Sequence, residues 1–322
     1  MSLSTILSIF NLTLIYATPI LIASLGGLLS ERSGVVNIAL EGLMMIGGFI
    51  GATSTVLLEP YFSGWSVLLV PWLGMLLGMV FGALFSLIHA YVSVNLKADQ
   101  VISGTAINLL AGGITIYFAQ IIFNQQRTET FQRGFVKNSI PILKDIPIIG
   151  PIFFENMFYT VYLGLALVAI VWFLVYKTPF GMRLRATGEN PHAVASTGVS
   201  VFKMRYWGVV LSGAFAGMAG AIMVLTLDTQ YTIVSIHGTG FIALAALIFG
   251  KWRPFGVLGA SLFFAFSQVF AIFANNIEWL ATMPLELFKA LPYVFTVIAL
   301  IVFSGKSVGP KAAGEIYDVG KR

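Results

Sequence analysis

STILSIFNLTLIYATPILIASLGGLL, residues 4–29, is a run of 26 residues without one charged side chain. An α-helix needs about 20 apolar residues to cross the hydrocarbon core of a bilayer. The rest of the chain has the same character, because 58% of its 322 residues are hydrophobic and 10% are charged, whereas soluble domains carry about 25% charged residues. The sequence predicts an all-α polytopic membrane protein rather than a β-barrel, whose strands alternate apolar and polar residues.

Nine apolar segments follow from this pattern, and each is predicted to be a transmembrane span. They cover residues 4–29, 36–58, 65–94, 101–123, 157–176, 204–226, 239–250, 254–274 and 288–304. The seventh has only 12 residues, which is short enough for a half-helix or a re-entrant segment.

The basic residues predict the orientation. One set of connections, together with the C-terminal tail, carries 13 of the 18 Lys and Arg residues, and the opposite set carries five. Cytoplasmic loops are enriched in Lys and Arg, so the N-terminus is predicted outside and the C-terminus in the cytoplasm. Residues 1–322 then form a single transmembrane domain with an external loop at 124–156 and a cytoplasmic loop at 177–203.

Small residues recur at helical spacing in two of the predicted spans. The sets are Gly74, Gly78 and Gly82; Ser212, Ala216 and Gly220; and Gly213 with Gly217. Small-xxx-small patterns let helix backbones approach closely inside a membrane. We expect them to pack helices within this chain, and a subunit interface is the alternative.

The first two spans are joined by ERSGVVNIALEG, residues 31–42. Ser33 is suited to cap a helix that begins near Gly34, and Asn37 and Glu41 would then share one face. An ionisable group that enters hydrocarbon is a functional candidate by default. The segment could instead lie along the surface, with Glu41 in water or against Arg32.

The longest cytoplasmic loop contains a short predicted helix, ENPHAVASTG, with a signal at each end. Asn190 is a good N-cap, Pro191 suits the first helical position, and Gly198 can end the helix in a left-handed conformation. Two turns of helix are marginal alone in water. The helix must therefore pack against something, either a groove on another protein or its own transmembrane bundle.

Motifs for catalysis and metal binding are missing from the sequence. The three histidines lack metal-ligand spacing, the chain has no cysteine, and neither HExxH nor a complete nucleotide-binding GxxxxGK[ST] loop occurs. We therefore expect no enzyme activity, no metal site and no cofactor in this chain. Any use of ATP would have to come from another chain.

The cytoplasmic stretch TPFGMRLRATGENPHAVASTGVSV, residues 178–201, resembles the coupling region of permease subunits of ATP-binding-cassette importers. The relevant group includes ribose, simple-sugar and branched-chain amino acid permeases. In that group the short helix docks into an ATPase subunit, which binds ATP and Mg. The resemblance assigns this docking role to Gly188, Glu189, Asn190, Pro191, His192, Ala193, Val194 and Ala195.

Three further stretches resemble the nucleoside-type permeases of this group: GGLLSERSGVVNIALEGLMMIGGF (26–49), ADQVISGTAINLLAGG (98–113) and GTGFIALAALIFGKWRPFG (238–256). The resemblance implies import of nucleosides, chiefly purine nucleosides, delivered by an extracellular binding lipoprotein. It also implies a homologous second permease subunit and a bacterial plasma membrane. Ribose or another simple sugar is the alternative solute.

An uncharged solute needs hydrogen-bond partners and apolar walls. Asn37, Glu41, Gln100 and Asn108 are accordingly candidates for the translocation path or its gate, although bonding between helices is the commoner fate of a buried Asn. Asp228 and Gln230 lie near the external mouth and are candidates for contact with the binding protein. An ion-coupled secondary transporter would need carboxylates at the midplane, where only Glu41 comes close, and an intramembrane enzyme would need a constellation that is not evident.

Overall fold

The structure, a computed structural model, describes residues 3–236, 238–274, 290, 294, 297–298, 309–318 and 320. Its α-helices are α1 (Leu3–Arg32), α2 (Leu40–Leu58), α3 (Val70–Ala90), α4 (Gln100–Phe123), α5 (Ile149–Phe153), α6 (Tyr159–Lys177), α7 (Pro179–Glu189), α8 (Pro191–Ser196), α9 (Val201–Leu227), α10 (Thr239–Phe249) and α11 (Pro254–Ala274). Two short strands, β1 (Lys137–Asn138) and β2 (Met157–Phe158), pair antiparallel. A 3-10 turn at Gly64–Leu69 leads into α3, and a π-helical turn at Tyr91–Asn95 ends it.

The all-α prediction is confirmed, and seven helices within the described ranges are long and apolar enough to span a bilayer. These seven are α1, α2, α3, α4, α6, α9 and α11. Helix α10 has 11 residues and rises only about 16 Å, roughly half of the hydrocarbon core. The predicted ninth span, 288–304, lies mostly outside the described residues, so the count of nine stays a prediction, as does the orientation.

The 124–156 connection is folded onto one end of α9. The backbone N–H of Phe135 donates to the carbonyl of Leu225 at 2.9 Å, and the N–H of Thr128 donates to the carbonyl of Tyr231 at 3.1 Å. Helix α5 and the two-stranded pair fall within or next to this connection. The connection is therefore an ordered cover on that end of the bundle rather than a loose linker.

Helix α9 lies at the centre of the described bundle and packs on α1, α2 and α3. A Cβ atom added to Gly47 on α2 would overlap the carbonyl oxygen of Gly217 on α9. A Cβ atom on Gly82 of α3 would overlap the carbonyl oxygen of Gly213. The glycine pattern thus brings helices of this chain into backbone contact, as close small-residue packing in membranes requires.

We expect Gly217→Ala to destabilise the fold, because its new methyl group would overlap the carbonyl oxygen of Gly78. Such overpacking costs about 1–3 kcal/mol. Gly113→Ala is the matched control, since a Cβ atom there meets nothing within 4 Å and alanine is the better helix former. Thermal unfolding of the two purified variants in one detergent measures the difference. Equal midpoints would contradict this account of the α2–α3–α9 packing.

Candidate functional site

Residues 33–39 form a non-helical break between α1 and α2. Gly34 has a φ of +91°, which a glycine adopts without strain, and α2 begins at Leu40. The predicted helix start near Gly34 is therefore wrong: the Ser33 hydroxyl donates to the carbonyl of Ser30 at 2.6 Å and does not cap α2. Asn37 consequently lies in the break, so it does not share a helical face with Glu41.

Polar side chains from neighbouring helices satisfy the backbone of this break. The Val36 N–H donates to Oε1 of Gln100 at 2.7 Å, and its carbonyl lies 3.1 Å from Nε2 of His89. The Asn108 amide donates to the carbonyl of Ile38 at 3.0 Å and accepts from the N–H of Gly42 at 2.8 Å. Non-helical backbone at membrane depth needs such partners.

Gln100 and Asn108 thus stabilise the break by hydrogen bonds to this chain's own backbone. His89 stabilises the same segment through the Val36 carbonyl. The sequence did not reveal this role, because the histidines were considered only as metal ligands. Among the described residues no group of three or more His, Asp or Glu side chains is placed to hold a metal.

Asn37 ties the break to the central helix. Its Nδ2 donates to the Ser212 hydroxyl on α9 at 2.8 Å, and its Oδ1 accepts from the N–H of Ala39 at 3.1 Å. Asn37 itself is fully buried. These bonds take Asn37 toward α9, whereas Glu41 turns toward α10, so the face predicted for the two residues does not form.

Glu41 caps the N-terminus of the short helix α10. Its Oε1 accepts from the N–H of Gly238 at 2.8 Å, and its Oε2 accepts from the N–H of Gly240 at 2.7 Å. The side chain is only 5% exposed, so the alternative of a solvated surface residue is wrong. A carboxylate here satisfies N–H groups that have no partner inside the helix and complements the positive end of its dipole.

Gly240 makes this cap sterically feasible. A Cβ atom on Gly240 would overlap the backbone nitrogen of Glu41, so the N-termini of α2 and α10 meet almost backbone to backbone. The N-termini of α2 and α10 therefore face each other inside the bundle, with the Glu41 carboxylate between them.

In the 177–203 connection, the short helix α8 forms as the sequence predicts. Asn190 Oδ1 accepts from the N–H of Ala193 at 3.0 Å, Pro191 occupies the first turn, and Gly198 has a φ of +81°. Helix α7 precedes it and is capped by the Thr178 hydroxyl, which accepts from the N–H of Gly181. The predicted helix with both ends encoded is confirmed.

One face of α8 is buried and another is free. Val194 packs with Val201 and Tyr317, and Gly188 and Pro191 are also buried, while Ala195 is half-buried. The exposed members of the predicted docking set are Glu189, Asn190, His192 and Ala193. Helix α8 therefore packs against its own bundle through one face and leaves another face exposed.

Residues 309–318, here called the C-terminal strap, connect the end of α7 to the break. The Ala312 N–H donates to the carbonyl of Gly188 at 2.8 Å, and the Gly314 N–H donates to the carbonyl of Gly34 at 3.3 Å. Nothing in the strap's short, polar sequence predicts these contacts.

Two further contacts hold the strap in place. The buried guanidinium of Arg205 donates to the carbonyl of Glu315 at 2.9 Å, and Lys97 forms a 2.9 Å ion pair with Asp318. The strap's Tyr317 ring lies 5.2 Å from the ring of His192. The strap thus contacts α8, α9, the break and the α3–α4 connection at once.

Asp228, at the opposite end of α9 from the strap, lines a cavity of about 270 Å³. The other lining residues are Tyr16, Pro19, Met223, Leu227, Ser235, Thr239 and Gln268. Hydroxyl, amide and carboxylate groups therefore face apolar walls next to the first turn of α10. Gln230 is half-buried in the loop beyond Asp228.

Comparison with known proteins finds a family and several relatives that match most of the chain. Residues 9–300 match the model of the family described as branched-chain amino acid transport system / permease component. The chain is 46% identical to the guanosine ABC transporter permease protein NupQ of Bacillus subtilis, over 96% of each chain. It is 40% identical to the nucleoside ABC transporter permease protein NupC of Lactococcus lactis, over 94% of each. It is also 26% identical to the guanosine permease NupP of Bacillus subtilis, over 88% of this chain and 77% of that one.

Proposed function

The chain belongs to the family of branched-chain amino acid transport system permease components, and we propose that it is a permease subunit of an ATP-driven importer of nucleosides, chiefly purine nucleosides. The observation that carries the proposal is the 46% identity to a guanosine permease over 96% of the chain. A nucleoside permease of a second organism is 40% identical. Ribose-type sugars remain the alternative solute class.

The partners follow from the same relatives. Bacillus subtilis has two guanosine permease proteins, and this chain is 46% identical to one and 26% identical to the other. We infer that the chain pairs with a second, homologous permease in a bacterial plasma membrane. A separate subunit hydrolyses ATP, and an extracellular lipoprotein delivers the solute, in keeping with a chain that has no complete GxxxxGK[ST] loop of its own.

The coupling path in this proposal begins at the exposed face of α8, where the ATPase docks. Movement of α8 reaches the break through the strap, since the Tyr317 ring lies 5.2 Å from the ring of His192 on α8 and the Gly314 N–H donates to the carbonyl of Gly34 at 3.3 Å. Asn37, Gln100 and Asn108 hold the break, and Glu41 links it to α10. Displacement of the break would therefore move the facing N-termini of α2 and α10, which together act as the gate.

The polar and apolar groups that line the cavity beside Asp228 suit a nucleoside. A ribose and a base need several hydrogen-bond partners and flat apolar walls, and ligand sites combine a few polar groups with an apolar lining in this way. Gln268 and Thr239 offer an amide and a hydroxyl, while Pro19 and Met223 supply apolar surface. Asp228 and Gln230 border the same end and would meet the delivering lipoprotein.

Labelling of single cysteines tests the proposed orientation, because the chain has none of its own. Gln132 and Ser196 are both exposed, so each can be replaced by cysteine without disturbing the core. Gln132→Cys is expected to react with an impermeant maleimide from outside intact cells, and Ser196→Cys only after the membrane is opened. Reaction of Gln132→Cys from the cytoplasmic side alone would invert the topology.

Competition for uptake tests the solute class. Cells that carry this permease and its partners, with their other nucleoside transporters deleted, are expected to accumulate labelled guanosine. Excess unlabelled adenosine should reduce that accumulation, and excess ribose should not. Uptake of labelled ribose, but not of labelled guanosine, by the same cells would replace the nucleoside assignment by the sugar alternative.

A further inference from the structure

A cavity of about 850 Å³ opens between the end of α6 and the turn that joins α10 to α11. Four basic side chains line it, namely Arg32, Arg185, Lys251 and Arg253, together with the rings of Trp172, Tyr176 and Phe255. The turn carries the GKWRPFG motif, residues 250–256, whose basic residues have no part in the coupling path described above.

The cavity is strongly cationic. In the part of the chain that the structure describes, no carboxylate lies within ion-pair distance of Arg185, Lys251 or Arg253, and Lys97–Asp318 is the pair found there. The Glu31 carboxylate is occupied by the indole N–H of Trp252. The Glu189 carboxylate acts on Arg32, so the positive charge is only partly balanced, and net positive charge concentrated in a concave site attracts an anion.

Backbone and ring contacts hold two of the guanidinium groups in position. Arg32 donates through Nε and Nη2 to the carbonyl of Trp252, at 3.2 and 2.9 Å. Arg185 donates through Nε to the carbonyl of Val175 at 3.1 Å and stacks 4.9 Å from the Tyr176 ring. Each guanidinium has five N–H groups, so these bonds orient the head and leave other donors for a ligand.

The walls of the cavity have the character of a membrane interface. Trp172 contacts Phe255 with ring centroids 6.2 Å apart, and the ammonium of Lys177 lies 5.5 Å from the Trp172 ring. Phe255 is 58% exposed, and Phe173, which follows Trp172 in sequence, is 57% exposed. Trp and Tyr concentrate where a bilayer meets water, and exposed Phe rings beside them suit acyl chains.

We propose that this cavity is a binding site for the phosphate head group of an anionic phospholipid in the cytoplasmic leaflet. The oriented Arg donors and Lys251 pair with the phosphate, and the acyl chains lie along the exposed ring of Phe255. Basic pockets between transmembrane helices bind lipid head groups in this way. A soluble phosphate compound shares the head-group chemistry but would gain nothing from the exposed rings.

The test titrates the purified full-length chain in detergent with phosphatidylglycerol, phosphatidylcholine or glycerol 3-phosphate and counts bound molecules by native mass spectrometry. The double variant Lys251→Gln/Arg253→Gln removes two exposed charges from the cavity. The control Arg183→Gln/Lys203→Gln removes two exposed charges from the same predicted face, outside the cavity. Arg253→Lys keeps the charge.

The cavity double variant is expected to bind phosphatidylglycerol about 25-fold more weakly, because each basic residue near the surface contributes about fivefold. The control double variant and Arg253→Lys should stay within about threefold of the parent. An equal loss of phosphatidylglycerol affinity in the control double variant would show that general surface charge causes the effect, and it would overturn the proposal. Binding of glycerol 3-phosphate as tight as that of the lipid would assign the cavity to a soluble phosphate.

Discussion

Glu41→Leu is expected to prevent assembly of the folded permease. Leucine has no acceptor, so the N–H groups of Gly238 and Gly240, which now donate at 2.8 and 2.7 Å, would be buried without partners. Each such loss costs about 1–3 kcal/mol, and the positive end of the α10 dipole would lose its counter-charge as well. Stabilities of whole proteins are only about 5–15 kcal/mol. Membrane yield and a monodisperse elution peak measure the outcome.

The Glu41→Gln variant distinguishes a capping role of Glu41 from a role in proton transfer. Glutamine keeps one carbonyl acceptor at nearly the same place, so assembly and uptake should largely survive. Glu129→Leu, which removes an exposed carboxylate from the 124–156 connection, is the control for loss of an acidic residue and should behave like the parent. If Glu41→Gln instead assembles fully and abolishes transport, Glu41 carries a proton, and the ion-coupled alternative gains support.

Ala193→Trp is expected to abolish uptake while the permease still folds. Ala193 is exposed on α8, so the indole ring would project into the proposed ATPase contact and not into the bundle. Loss of shape complementarity at the centre of an interface costs several kcal/mol. In the reconstituted complex, ATP hydrolysis should no longer respond to the loaded binding protein, and the unfolding midpoint of the permease should not change.

Two further variants sharpen the Ala193→Trp experiment. Leu96→Trp adds bulk at an exposed position between α3 and α4 and should leave uptake within about twofold of the parent. Ala195→Trp enlarges a half-buried residue that packs near Tyr317, so it should lower the unfolding midpoint as well as uptake. Normal uptake by Ala193→Trp would exclude α8 as the docking element.

The architecture of most of the chain could be predicted because its physical causes are local. Uncharged runs such as residues 4–29 need a membrane, and the GxxxG steps need close helix packing. The short helix α8 carries its cap at Asn190 and its stop at Gly198. In each case the residues that decide the structure lie within one helix length of each other.

The break and the cap of α10 could not be predicted, because their causes are distant in sequence. Ser33 looks like a helix cap until Gly34 takes a left-handed φ and Gln100 and Asn108 supply partners for an unwound segment. Glu41 meets the N–H of Gly240 across 199 positions of sequence. The strap is a stronger case, since its contacts with Gly188 and Gly34 leave no periodic pattern at all.

Nucleoside uptake into proteoliposomes that contain this chain, its second permease and the ATP-binding subunit tests the central claim most directly. With the binding lipoprotein and labelled guanosine outside and ATP inside, guanosine should accumulate, and accumulation should continue after proton and sodium gradients are collapsed by ionophores. Vesicles without ATP should take up no more guanosine than protein-free liposomes do. Accumulation that needs no ATP and stops when the gradients collapse would contradict the account.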